Sequence, residues 1–261
     1  MNLYWKLLKA SIKSQMEYKT AFFMELLVFM ILQALDFLLV AAILLKFDTV
    51  GGWNLYEVGY LFAVASMVRS LYRVFANDIH NFEKYTANGE FDQLLTRPVS
   101  PLTLLIARGV YWNQIGGFIQ GGIMLGLSLW GMHEQGVSIG PALLYLPISL
   151  VTGTIIVFSL GLATATIGFW TVRINEFLAF THYGPLNAAS YPMHIYPGWL
   201  RGILFTLIPV AFITYVPALY LFDKGGAFWY LLVSPLVALA TMGVTWKFWS
   251  FGIKQYHSTG S

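Results

Sequence analysis

The feature that most constrains this chain is a succession of long apolar runs. They lie at roughly 21–46, 55–77, 102–131, 141–170 and 227–252, with a shorter one at 176–190. A helix needs about 20 apolar residues to cross the hydrocarbon core of a bilayer. Only 10% of the residues are charged, against about 25% in an ordinary soluble domain. The mean hydropathy is +0.66. A water-facing surface cannot be built from this material. The expected fold is all-α and membrane-integral, with six transmembrane helices in one domain over 1–261.

The segments between the runs give the orientation. Residues 1–20 read as an amphipathic helix, with Leu3, Leu7, Leu8 and Ile12 on one face and Tyr4 and Trp5 close by. Lys6, Lys9, Lys13 and Lys19 are spread along it, which suits a helix lying at the membrane interface better than a cleavable signal. An ordinary solvated helix is the plainer alternative. Placing the N-terminus inside puts twelve of the fifteen Lys and Arg residues at the inner face and leaves Lys46, Arg201 and Lys224 outside. The excess of basic residues on the cytoplasmic side favours that topology, with both termini in the cytoplasm and the chain in the inner (plasma) membrane.

The third and fourth runs carry small residues at close-packing spacing. Gly117 and Gly121 form one GxxxG pair, and Gly122 and Gly126 another. Such residues let helices approach closely in lipid. Residues 191–222 are apolar but hold Pro192, Pro197, Pro209 and Pro217. Proline lacks a backbone donor and ends or kinks helices. Short, partly re-entrant helices on the outer side are expected there.

Little in the chain points to catalysis. It has no cysteine, so disulfides and thiolate metal sites are excluded. No GxxxxGK[ST] or HExxH pattern occurs, and His80, His133, His182, His194 and His257 are scattered. No metal or catalytic residue is expected. Among the ionisable groups within the runs, four stand out: Glu25 and Asp36 in the first, and Arg69 and Arg73, one turn apart, in the second. Charges at membrane depth are costly and face a bundle interior or a cavity. They are candidates for a pathway, or for an interhelical ion pair between the arginine face and Asp36 or Glu25.

The long polar stretch, 78–100, sits on the cytoplasmic side. Ile79, Phe82 and Tyr85 share a helical face, Asn88-Gly89 signals a turn, and Glu90 to Leu95 can form a second short helix. A charged helix bearing aromatics suits a knob that docks in a groove of another protein. A plain connecting loop is the alternative, although loops of this length are often functional.

At "GEFDQLLTRPVSP" the sequence strongly resembles the permease subunits of ABC-2-type transporters. "YPMHIYPGWLRGILFTLIPVAFITYVPA" (191–218) and "KQYHSTGS" (254–261) resemble the outer segment and the C-terminal ending of one branch of that family. A departure is His257, where an acidic residue is more usual. The resemblance implies six membrane helices, a cytoplasmic coupling helix and an outer gate made by the proline-rich segment. It also implies a separate ATP-binding subunit that holds ATP and Mg, and a second permease, identical or homologous. Carried over, the coupling element is Asp78 to Arg97. Phe82, Glu83, Tyr85, Glu90, Phe91, Asp92 and Arg97 would dock or brace, and Gly89 would supply the turn. The pathway would lie between two permeases, lined by the first, second and fifth helices, with Phe37, Tyr60 and Tyr183 as candidates.

Three other functions compete. One is an ion-gradient-driven secondary transporter with Asp36 and Glu25 as coupling groups. The others are a lipid-modifying enzyme and a non-transporting sensor or immunity subunit.

Overall fold

The computed structural model describes residues 17, 19–47, 49–108, 110–171 and 173–256. The interfacial helix expected over 1–20 therefore lies almost wholly outside the described residues, as does the end of the tail. Among the described residues, five helices are long and apolar enough to cross a membrane. A sixth span is counted only if one bent helix pair serves as one.

The first long helix, α1 (Lys19–Phe47), leaves Phe23, Leu27, Ile31 and Leu35 exposed along one side. A two-stranded hairpin, Thr49–Val50 with Trp53–Asn54, turns the chain into α2 (Leu55–His80). The start of α2 is set locally by a capping box. The Asn54 side chain accepts from the Glu57 N–H, and the Glu57 carboxylate accepts from the Asn54 N–H, both at 2.9 Å. Two orphan helix-terminal donors are thus satisfied reciprocally. Lys224 joins Glu57 at 2.9 Å and donates to the Gly52 carbonyl, fastening the hairpin to the proline-rich segment. Trp53 packs on Tyr215 and Phe222 at that same end.

The central element of the bundle is α2. Its neighbours are α6 (Ile115–Glu134) and α7 (Gly140–Thr171), and α7 in turn packs against α12 (Tyr230–Lys254). Glycines set the closest approaches. Gly121 stands over the Ala63 carbonyl, Gly153 over Val68 and Gly161 over the Tyr72 ring. Of the two expected GxxxG pairs, Gly117 and Gly121 face other helices, whereas Gly122 and Gly126 meet nothing within 4 Å.

Two expected spans differ in the structure. The run 102–131 is two elements: α5 (Pro101–Arg108), and α6 preceded by the 3-10 turn Trp112–Gln114. Between them Tyr111 is extended and its N–H donates to the Val74 carbonyl at 3.0 Å. Val74 lies two residues before Ala76, where α2 kinks (φ −130, ψ 29). Val110, fully buried, packs against Val74. A tertiary partner thus takes up a backbone donor that a continuous helix would have used.

The segment expected as the fifth span, 176–190, is α8 (Asn175–Leu178), a π turn (Ala179–Tyr183) and α9 (Gly184–Ala188). Fourteen residues of helix extend about 21 Å. That is shorter than the roughly 30 Å hydrocarbon core, so this element does not cross by itself.

The proline-rich segment folds as short helices, in line with its composition. Pro192 and Pro197 immediately precede the 3-10 turn Met193–Ile195 and α10 (Gly198–Phe205). Pro209 precedes the turn Val210–Phe212, and Pro217 stands in the first turn of α11 (Tyr215–Leu221). Each occupies a place where the missing N–H costs nothing. The halves on either side of Phe205–Val210 are bent by 71°. Val210, Ala211 and Ile213 are fully buried, so the bend is part of the core.

Candidate functional site

Beyond the hairpin end, two places among the described residues gather polar groups. The first is a helical platform at the end of α2 remote from the hairpin. It consists of α3 (Glu83–Ala87) and α4 (Glu90–Leu95), joined by Gly89. Gly89 has φ +69, a left-handed conformation that glycine adopts freely. Asp78, buried in the last turn of α2, receives Lys84 Nζ at 2.7 Å and the Tyr85 hydroxyl at 2.6 Å. One oxygen of Glu83 accepts the backbone N–H groups of Ile174 and Asn175, at 2.8 and 3.0 Å. These are donors at the start of α8, where the helix leaves N–H groups unpaired and favours a negative charge.

Underneath, Phe82 and Phe91 are fully buried and pack edge-on with Phe169 of α7 and Trp249 of α12. Tyr256 meets Phe91 edge-on, with ring centroids 5.0 Å apart. Burial, helped by the neighbouring Asp92 carboxylate, pushes the Tyr256 phenol up to about 12. The platform is therefore locked to four elements, α2, α7, α8 and α12. Its exposed rim carries Glu90, Gln93, Leu95 and Arg97.

The second place is a cavity of about 220 Å³ between α1, α2 and the π turn. Arg69 and Arg73 of α2 line it with Asp36 of α1, Ser70, His182 and Tyr183. An adjoining cavity of about 170 Å³ shares Asp36 and Arg69. Arg69 donates to the Asn187 side chain at 3.0 Å, and His80 Nε2 shares a hydrogen bond of 2.8 Å with the Tyr183 hydroxyl. The His182 ring lies between Tyr72 and His80, with centroids 4.8 and 4.9 Å away. Arg69 Nε, Arg73 Nη1 and both His182 ring nitrogens are buried without a hydrogen-bond partner among the described residues.

A family model described as "ABC-2 family transporter protein" matches residues 30–260. The chain belongs to the ABC-2 transporter family. No curated protein matches it. As an ABC-2 family member it is a multi-pass membrane permease of an ABC transporter, a membrane component without an ATPase site of its own, and the family implies an ABC ATP-binding partner.

Within this ABC-2 permease the residues singled out from sequence fall into separate groups. Phe82, Tyr85 and Phe91 are inside the platform, Glu83 ties it to α8, Gly89 makes its turn, and Glu90 and Arg97 are on the rim. Asp92 is half-buried beside Tyr256. The expected interhelical ion pair is not formed: no described carboxylate comes within 4.0 Å of Arg69 or Arg73. Asp36 shares their cavity but is exposed, and Glu25 instead accepts a bond from the Asn113 amide. Of the three aromatic candidates for the pathway, only Tyr183 lines that cavity. Phe37 packs on Phe62, and Tyr60 is buried against Phe222. Sequence reasoning passed over His80, His182 and Asn187. A single histidine on an apolar helix carries no spacing signal, and the π turn that places His182 is not written in the hydropathy. Such turns occur frequently at functional sites.

Proposed function

We propose that the chain is the permease half of an ATP-driven exporter, and that the α3–α4 platform is its coupling element. The carrying observation is the mechanical one. A polar rim stands on a base locked by the Asp78–Lys84–Tyr85 and Glu83–Ile174/Asn175 bonds to the helices that surround the cavity. A partner that pushes this rim moves α2 and α8 with it. Two ATP-binding subunits would hold ATP and Mg. Closure of their dimer would tilt the platform and shift two permeases, identical or homologous, between inward- and outward-facing states as rigid bodies. In this reading the platform and both termini are cytoplasmic, and α10–α11 with their prolines gate the outer exit. The pathway runs along α1, α2 and the α8–α9 segment. Phe82, Tyr85, Phe91 and Glu83 brace, while Glu90, Asp92 and Arg97 belong to the docking side.

The test is co-expression with the ABC ATP-binding subunit encoded beside it, followed by purification and assay of ATP hydrolysis. Wild type is expected to hold the ATPase, and the Glu90→Lys/Arg97→Glu variant to lose it by at least tenfold in yield. A variant that folds and still retains a fully coupled ATPase contradicts the assignment.

Asp36 speaks for the second reading, a transporter driven by an ion gradient, because it is an exposed carboxylate on a membrane helix. There, collapsing the gradient with ATP present would stop transport. On the favoured reading transport continues.

A further inference from the structure

We propose that the cavity around Arg69 and Arg73 binds the oxyanion of an acidic amphiphile, a phosphate or a carboxylate. Arg69 Nε, Arg73 Nη1 and the His182 ring present polar atoms with no partner among the described residues. His182 is 1% exposed. Buried donors left unpaired are costly, and more so on a charged group. Asn187 meets only one end of the Arg69 guanidinium, and neither arginine reaches a described carboxylate within 4.0 Å.

Depth closes the usual escape. Arg69 is fourteen residues beyond Leu55 on α2, about 21 Å from the hairpin end, with eleven more residues before the helix ends at His80. Its guanidinium is held by Asn187. Neither guanidinium has a described carboxylate within 4.0 Å to accept from it. A guanidinium fork matches a carboxylate or phosphate better than any neutral group. The volume, about 220 Å³, suits a headgroup. The rest of the lining points to an amphiphile: Phe29, Leu32 and Leu186 border the cavity, and Leu32 is open on the surface of α1. An apolar tail can leave along that side while the anion stays on the arginines. Asp36, across the cavity, would repel an anion that enters off-centre and so helps fix its place.

This inference rests on the reading that the cavity belongs to the pathway. Its test needs neither an ATPase nor transport, so the two can fail separately. The full chain is purified in a neutral detergent, and its thermal unfolding is followed by intrinsic fluorescence. It is titrated with dihexanoyl phosphatidylglycerol, dihexanoyl phosphatidylcholine and inorganic phosphate. Phosphatidylglycerol is expected to raise the midpoint by about 3–8 °C at saturation. Phosphatidylcholine should leave it unchanged. A matching shift from inorganic phosphate would show that the free anion is sufficient. A shift confined to phosphatidylglycerol would show that the tail is also needed.

The Arg69→Gln/Arg73→Gln variant should weaken the apparent affinity at least tenfold. If that pair does not elute as a single species, Arg69→Lys/Arg73→Lys replaces it. It keeps the charge, loses the fork, and should weaken binding at least threefold. No shift with any anion, an equal shift with phosphatidylcholine, or unchanged affinity in a folded variant overturns the proposal.

Discussion

Gly161→Leu should remove most of the folded chain. Gly161 of α7 faces Tyr72 of α2, which is 1% exposed. A Cβ added there would collide with the Tyr72 hydroxyl and stand 2.7 Å from its Cζ. Tyr72 is hemmed in by His80 and His182, so the ring cannot turn aside without disturbing the cavity. Overpacking a well-filled core costs about 1–3 kcal/mol and sometimes more. A leucine at a helix–helix contact this close belongs at the upper end. The expected result is a monodisperse yield reduced severalfold and an unfolding midpoint lower by at least ~6 °C. Size-exclusion chromatography and thermal unfolding in detergent read both. The double variant Tyr72→Ala/Gly161→Leu should recover part of the loss, because the collision is removed. An unchanged midpoint in Gly161→Leu would mean that α2 and α7 do not meet in this way.

The second large effect is expected at Glu83. Glu83→Ala deletes the acceptor of two backbone N–H groups at the start of α8. Hydrogen bonds to a charged group are worth about 1.5–3 kcal/mol. Glu83 is half-buried, so screening is incomplete, and a total near 2 kcal/mol is a fair expectation. Amides of the 174–183 segment should then exchange about 10–30-fold faster, while those of α12 keep their rate. Glu83→Gln retains an acceptor oxygen without the charge and should fall between. Hydrogen exchange followed by mass spectrometry makes the measurement. Equal protection of 174–183 in wild type and Glu83→Ala would remove the tie between platform and α8 from the account.

How much of this was legible in the sequence depends on whether a feature is local. The polar stretch 78–100 stands out because an apolar chain surrounds it, and Gly89 is marked by the Asn-Gly turn signal. The prolines of 191–222 announce short helices, since each removes a donor that only a helix start can spare. Arg69 and Arg73 are readable as one face because one helical turn separates them. Other features are set across the chain. Arg108-Gly109 and Asn113-Gln114 interrupt the apolar run 102–131, yet nothing in it shows that Tyr111 gives its N–H to Val74. The length of 176–190 does not reveal a π turn. Both GxxxG pairs look alike in the sequence, yet only Gly117 and Gly121 find helices to face. His182 acquires meaning only when folding sets it against Tyr72, His80 and the two arginines. The roles of Phe82 and Phe91 were likewise open between docking and bracing, because an aromatic in a polar loop suits either. Their burial beneath the platform, against Phe169 and Trp249, supports bracing.

On the proposed reading the α3–α4 rim touches the ATP-binding subunit. The chain has no cysteine, so a single one can be placed without background. Gln93→Cys, on the exposed side of α4, would carry a benzophenone maleimide in the complex with the co-expressed ATPase. Glu134→Cys, exposed at the hairpin end, is the control. Irradiation is expected to join Gln93→Cys to the ATPase in an adduct of the summed mass, and Glu134→Cys to give none. An adduct from Glu134→Cys, or none from Gln93→Cys in an intact complex, would contradict the account.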